Sequence, residues 1–318
     1  WQGCVRKPHT VASRTFHQHR SHRSTIAASA WLARPTQGVG ALTSVLGLIL
    51  VVAGACVGSF ANVVAWRLPR EESVVWPGSH CPKCGQAVRW HDNVPVLGWV
   101  WLRGRCRDCH QGISSRYPFV EFFSALLWLS ALWGHGLLAA SDQLGLALLN
   151  LLAGIVLISV LLPLVLIDID HLWLPEPLCR IGVLLGLAFT GALYLVIPAP
   201  EASSVLLNHL LAASAGLLAL EGLSALAERM LGQPALGLGD AKLAAVAGAW
   251  LGLGGVLVAL AIAVFSGAFF GTVGRLSGRL GPRQPFPFGP FIALGIWLTW
   301  IGGSEWWGQQ WFSLFGGL

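Results

Sequence analysis

Two carboxylates stand where carboxylates are costly. Asp168 closes the apolar run Leu161-Leu162-Pro163-Leu164-Val165-Leu166-Ile167, and Asp240 follows Gly237-Leu238-Gly239 at the head of another. An ionisable side chain beside a long hydrocarbon segment marks a functional site by default. If two such carboxylates meet, they can share a proton, one acting as acid and the other as base on a single water. That is the chemistry peptide hydrolysis needs. Gly237 and Gly239 permit an unusual backbone and the close approach of a substrate strand. Lys242 follows as a neighbour that either neutralises Asp240 or serves the site. The bland alternative is a solvated helix boundary, and spacing alone does not separate the two. The same acids would also suit a proton- or ion-coupled carrier, but that expects them near the bilayer midplane with inverted repeats. Here they fall at segment ends, and no repeat of either half is evident.

Four cysteines form a second constellation. Cys81-Pro82-Lys83-Cys84 and Cys106-Arg107-Asp108-Cys109 are two CxxC pairs with 21 residues between them. Four thiolates from two knuckles satisfy a tetrahedral zinc ion. Redox cycling of a CxxC pair is the rival reading, and two copies around one small loop favour metal. Because protein fills all four positions, the metal is expected to be structural, supplying folding energy to a loop with little core.

The elements that must position these groups are membrane spans. The chain of 318 residues is 55% hydrophobic and only 11% charged, far below the charge content of a soluble domain. A span needs roughly 20 apolar residues. Candidates lie near 42–66, 118–140, 144–167, 178–197, 205–227 and 288–301. The stretch 243–273 is too long for one simple span and reads as a short or re-entrant helix followed by a full one. Seven or eight spans are expected. The block between the first two candidates carries Arg67, Arg70, Lys83, Arg89, Arg103, Arg105, Arg107 and Arg116 against Glu71, Glu72, Asp92 and Asp108. The excess of cations places it in the cytoplasm. Counting forward, the Asp168 and Asp240 loops fall on that same side, and the 197–204 loop, which has no Lys or Arg, falls outside. The arginines suit anionic lipid better than nucleic acid. Four regions are expected: a disordered or non-native extension over 1–38, a first transmembrane helix over 39–66, a cytoplasmic tetracysteine zinc domain over 67–117, and a transmembrane catalytic domain over 118–318. The first of these is basic and holds His9, His17, His19 and His22, but it has no apolar stretch that would make it a signal peptide.

Six ordered strings resemble those of the bacterial prepilin peptidases, the type IV leader peptidases of the GxGD membrane aspartyl protease group. They are Gly58-Ser59-Phe60-Ala61-Asn62-Val63 through Arg67-Leu68-Pro69, the tetracysteine block, Ser115-Arg116-Tyr117-Pro118-Phe119-Val120-Glu121, Asp168 with Leu174-Pro175, Gly237-Leu238-Gly239-Asp240-Ala241-Lys242, and Phe286-Pro287-Phe288-Gly289-Pro290-Phe291. The resemblance implies an all-α polytopic protease of the bacterial inner membrane. It implies type IV prepilins and pseudopilins as substrates, cut after a Gly at the cytoplasmic face. It also implies methylation of the new N-terminus from S-adenosylmethionine. By residue match Asp168 and Asp240 are the catalytic pair, supported by Gly237, Gly239 and Lys242, while Cys81, Cys84, Cys106 and Cys109 hold zinc and shape the part tied to methylation. Glu176 stands where the family often has Asp, and no glycine-rich methyl-donor fingerprint is visible.

Overall fold

Lipid offers no hydrogen-bond partners, so an apolar chain closes its backbone bonds within helices. A computed structural model describes residues 37–134, 144–231, 237–281 and 284–315. Residues 1–36, and with them nearly all of the expected N-terminal extension, lie outside the described residues. The helices are α1 Gln37–Arg67, the short α2 Leu97–Trp101, α3 Arg116–Ser130, α4 Leu144–His171, α5 Glu176–Gly191, α6 Ala199–Leu231, α7 Leu238–Leu276, α8 Gly289–Gly302 and α9 Ser304–Phe315. Among the described residues there is no strand, only the isolated bridges His80–Ala87 and Arg105–Gly112.

Five of these helices are long and apolar enough to cross a membrane, and Gly289–Gly302 is a shorter apolar helix. The protein is a multi-pass membrane protein. The expected count of seven or eight is higher because the 118–140 and 288–301 candidates form shorter helices and the broken 243–273 stretch counts once. The candidate near 118–140 is described as a helix only over Arg116–Ser130, followed by a tight turn, before residues outside the described set. The long 243–273 stretch is the expected pair of helices, joined in α7 across a break at Gly252, whose φ is 68° and ψ −177°.

Side chains from α6 repair that break. Asn208 Oδ1 accepts the Leu253 N–H at 2.8 Å, giving the second half a cap. His209 Nδ1 bonds the Ala249 carbonyl at 3.0 Å, closing the first half. A cavity of about 210 Å³ lies beside it, lined among others by Asn150, Thr190, His209, Trp250 and Thr299.

Small residues set how closely the helices approach. A Cβ on Gly248 would overlap the Ala212 backbone, which is why α6 and α7 pack so tightly. Near the head of the bundle a buried cluster joins α1, α3 and α4: Ala61, Ala65, Val120, Leu162, Leu166 and Ile167, with Leu68 and Leu178 against it. Leu166 and Ile167 immediately precede Asp168, so this packing fixes the backbone that carries the carboxylate.

Candidate active site

Asp168 lies in the last turn of α4 and is buried, with 5% of its surface exposed. A buried carboxylate needs partners, and one comes from 121 residues away. The N–H of Gly289, the first residue of α8, donates to Asp168 Oδ2 at 2.9 Å. A helix N-terminus presents such unpaired N–H groups. Gly289 also leaves room: a Cβ there would sit 2.6 Å from Oδ2 and 3.1 Å from Cγ.

Asp240 is half-buried in the first turn of α7, whose N-cap is Gly237. Its N–H bonds the Gly237 carbonyl at 3.0 Å, closing the turn that presents the side chain. A carboxylate in a first turn also suits the helix dipole. Gly239 packs on the α4–α5 connection, where a Cβ would stand 3.1 Å from Leu174 Cβ. Leu174 and Pro175 are themselves buried. The Asp240 segment and the connection that follows Asp168 therefore touch, Gly239 against the Leu174 side chain. Both acids stand at helix ends, so the carrier reading, which wants them at mid-span, finds no support.

Charged residues near the ends of these helices pair with one another. Lys242 Nζ lies 3.4 Å from Glu176 Oε2, joining the start of α7 to the start of α5. Arg180 holds the other Glu176 oxygen at 2.5 Å. Lys242 is thus paired with Glu176, which ties two helices from a half-exposed position. Asp170, which looks like a plain loop residue in the sequence, accepts from Arg116 Nη1 at 2.7 Å. That bond links the turn beyond Asp168 to the first residue of α3. Gly289, Asp170 and Glu176 are the site residues that sequence reasoning left without a role. The Phe286–Phe291 string pointed to the first of them, and nothing local marks the other two.

The four cysteines come together as expected. Their sulfurs all lie within 4.8 Å of one another, with Cys81 and Cys109 at 3.7 Å. The edge of a tetrahedron with metal–sulfur bonds of roughly 2.3 Å is about 3.8 Å, so the set fits such an ion. The backbone N–H groups of Cys84 and Lys83 pull the Cys81 thiol down to about 6. The Gln86 backbone also pulls on Cys84, yet burial and the neighbouring sulfurs push it up to about 11. Crowded thiols resist ionising together, and a cation relieves that.

The two knuckles also repeat one another at a 25-residue offset in their backbone hydrogen bonds. Cys81 and Cys106 N–H groups bond the carbonyls of Gln86 and Gln111. Gly85 and His110 bond back to Cys81 and Cys106, and Val88 and Ile113 bond Ser79 and Gly104. Gly85 and His110 both have positive φ, at 72° and 57°. The repeat is carried by this shared backbone and by the matching Cys81/Cys106, Cys84/Cys109 and Gln86/Gln111 positions. Lys83 reaches from one knuckle to Gln111 of the other at 2.9 Å.

Residues 52–135 match the profile of the Bacterial Peptidase A24 N-terminal domain, and residues 155–272 match the Type IV leader peptidase family. The chain is 36% identical over 270 residues to a prepilin leader peptidase/N-methyltransferase of Pectobacterium carotovorum subsp. carotovorum, covering 77% of this chain and 89% of that protein. A type 4 prepilin-like proteins leader peptide-processing enzyme of Escherichia coli O78:H11 is 33% identical over 266 residues, covering 78% and 91%. A prepilin leader peptidase/N-methyltransferase of Myxococcus xanthus is 36% identical over 241 residues, 74% of this chain, but the chain spans only 65% of its length. No solved structure matches. With relatives matched over most of their length and the two profiles in order along it, the chain belongs to the type IV leader peptidase family.

Proposed function

We propose that the protein cleaves the leaders of type IV prepilins and pseudopilins, with Asp168 and Asp240 as its catalytic pair. The observation that carries this reading is the meeting of the 168–176, 237–242 and 286–289 segments, which bear two carboxylates at helix ends. One carboxylate takes a proton from water as the hydroxyl attacks the scissile carbonyl carbon. The other, protonated, donates to the carbonyl oxygen. Collapse of the tetrahedral adduct then breaks the C–N bond: the proton taken from water passes to the leaving nitrogen, and a hydroxyl of the adduct returns a proton to the second carboxylate. Coupled carboxylates titrate as a pair, so the two roles belong to the dyad. Gly237 and Gly239 shape the turn that presents Asp240, and Lys242 braces it through Glu176.

The cut follows a Gly, at the cytoplasmic face of a bacterial inner membrane, since the cation-rich 67–116 block lies on the acids' side through the Arg116–Asp170 bond. Cys81, Cys84, Cys106 and Cys109 hold a structural zinc ion, which supplies folding energy to the loop domain. The protein also methylates the new N-terminus, as the relatives' names suggest. S-adenosylmethionine, when bound, supplies the methyl group: its carbon–sulfur bond breaks, a carbon–nitrogen bond forms, and the amine loses a proton.

Co-expression with a prepilin tests the reading, with the product's N-terminus measured by mass spectrometry. Asp168→Asn and Asp240→Asn should each lower cleavage by about 100- to 10,000-fold, the range for removing an acid–base group, with the protein still inserted. Full processing by either variant refutes the assignment.

A further inference from the structure

The cysteine-loop domain carries an apolar face that the site does not use. On α2, Leu97, Val100 and Trp101 fall at positions i, i+3 and i+4, one side of the helix. They are 62%, 59% and 78% exposed. The opposite side is packed: Gly98 is buried, and Trp99 Nε1 donates to the Ile113 carbonyl at 3.0 Å. Cations follow at once. Arg103 and Arg105 are exposed and form no ion pair among the described residues, whereas Arg107 and Arg89 are taken by Asp92 and Asp108.

The level at which α2 sits decides what covers that face. The buried Glu121 carboxylate accepts the Val96 N–H at 2.7 Å. Val96 is the N-cap of α2, held at a φ of 62° that a β-branched residue rarely adopts. Glu121 is in the second turn of α3 and packs deeper than Arg116, so α2 begins beside the body of that helix rather than beyond its end. The domain is leashed on both sides, by α1 ending at Arg67 and α3 starting at Arg116. An apolar helix face with flanking arginines at the rim of a membrane bundle matches the headgroup boundary of an anionic bilayer.

We propose that α2 docks the cysteine-loop domain onto the anionic lipid surface. Leu97, Val100 and Trp101 sit at the headgroup–acyl boundary, and Arg103 and Arg105 bind lipid phosphates. The loop domain is then held at a fixed height beside the acids, independently of whether they are catalytic.

The test uses the full chain in nanodiscs of phosphatidylglycerol with phosphatidylethanolamine, and in nanodiscs of phosphatidylcholine alone. Amide exchange over 97–105 should be strongly slowed only in the anionic discs. Arg103→Gln with Arg105→Gln should reduce that protection by about 30-fold, each cation near an anionic surface contributing roughly a factor of five. Benzoylphenylalanine at position 101 should crosslink to lipid on illumination. Equal protection in both lipids overturns the proposal, as do adducts to an added prepilin peptide or to a second copy of the chain. The lipid comparison needs no substitution, so misfolding of a variant cannot mask the outcome.

Discussion

Gly289 donates one hydrogen bond to Asp168 and leaves no room for a methyl group beside it. The carboxylate is otherwise enclosed, so its position depends on that single backbone contact and on the Leu166–Ile167 packing behind it. Gly289→Ala should therefore displace the Asp168 oxygens while leaving substrate contacts elsewhere intact. The expected result is a fall in kcat of about 100-fold, the scale of a misplacement near 1 Å, with KM little changed. Single-turnover cleavage of a prepilin peptide in detergent would measure it. A variant with the ordinary kcat would show that the backbone bond does not set the acid's position.

Between elements, the Glu176–Lys242 pair and the Leu174–Gly239 contact join the start of α5 to the start of α7. Neither partner of the ion pair is deeply buried, so solvent screens it and its effect is modest. Glu176→Gln and Lys242→Met should each slow cleavage by about two- to fivefold, the size expected of a half-exposed pair. The exchange Glu176→Lys with Lys242→Glu should recover part of that loss, as initial rates of the two singles and the double would show. Additive losses would mean that each residue acts alone. The Gly252 break works on the same scale. It leaves α7 as two shorter helices, each end supplied with a side-chain partner from α6, and lets a 39-residue apolar helix carry Asp240 in its first turn without running straight through the bundle.

For the molecule as a whole, the cysteine domain and the acids are connected at only a few described points. Arg67 bonds the Ser73 and Gly78 carbonyls, Glu121 holds Val96, and Arg116 holds Asp170. The acids themselves stand on α4 and α7, and Asp168 is held from α8, none of which contributes a cysteine ligand. Chelation, or Cys81→Ser with Cys84→Ser, should therefore cut methyl transfer by about 10- to 100-fold, a loss typical of disturbed metal supports, and cleavage by much less. Mass spectrometry of the product's N-terminus reports both at once. Equal loss of the two activities would mean that the metal holds the entire protein together.

The apolar runs alone dictated membrane helices, because lipid leaves the backbone no other way to satisfy its polar groups. Asp168, Asp240 and the four cysteines were legible because each breaks its local pattern, a charge beside hydrocarbon or a thiol pair at ligand spacing. The split of 243–273 was legible too, since its length exceeds one span. What only the tertiary structure decided is which distant groups meet. The Gly289–Asp168, Arg116–Asp170 and Glu176–Lys242 contacts join positions 121, 54 and 66 residues apart. No local periodicity encodes such pairs, because they arise from how helices pack against one another. The two CxxC pairs were visible in the sequence, but only the fold shows that each closes the same set of backbone hydrogen bonds.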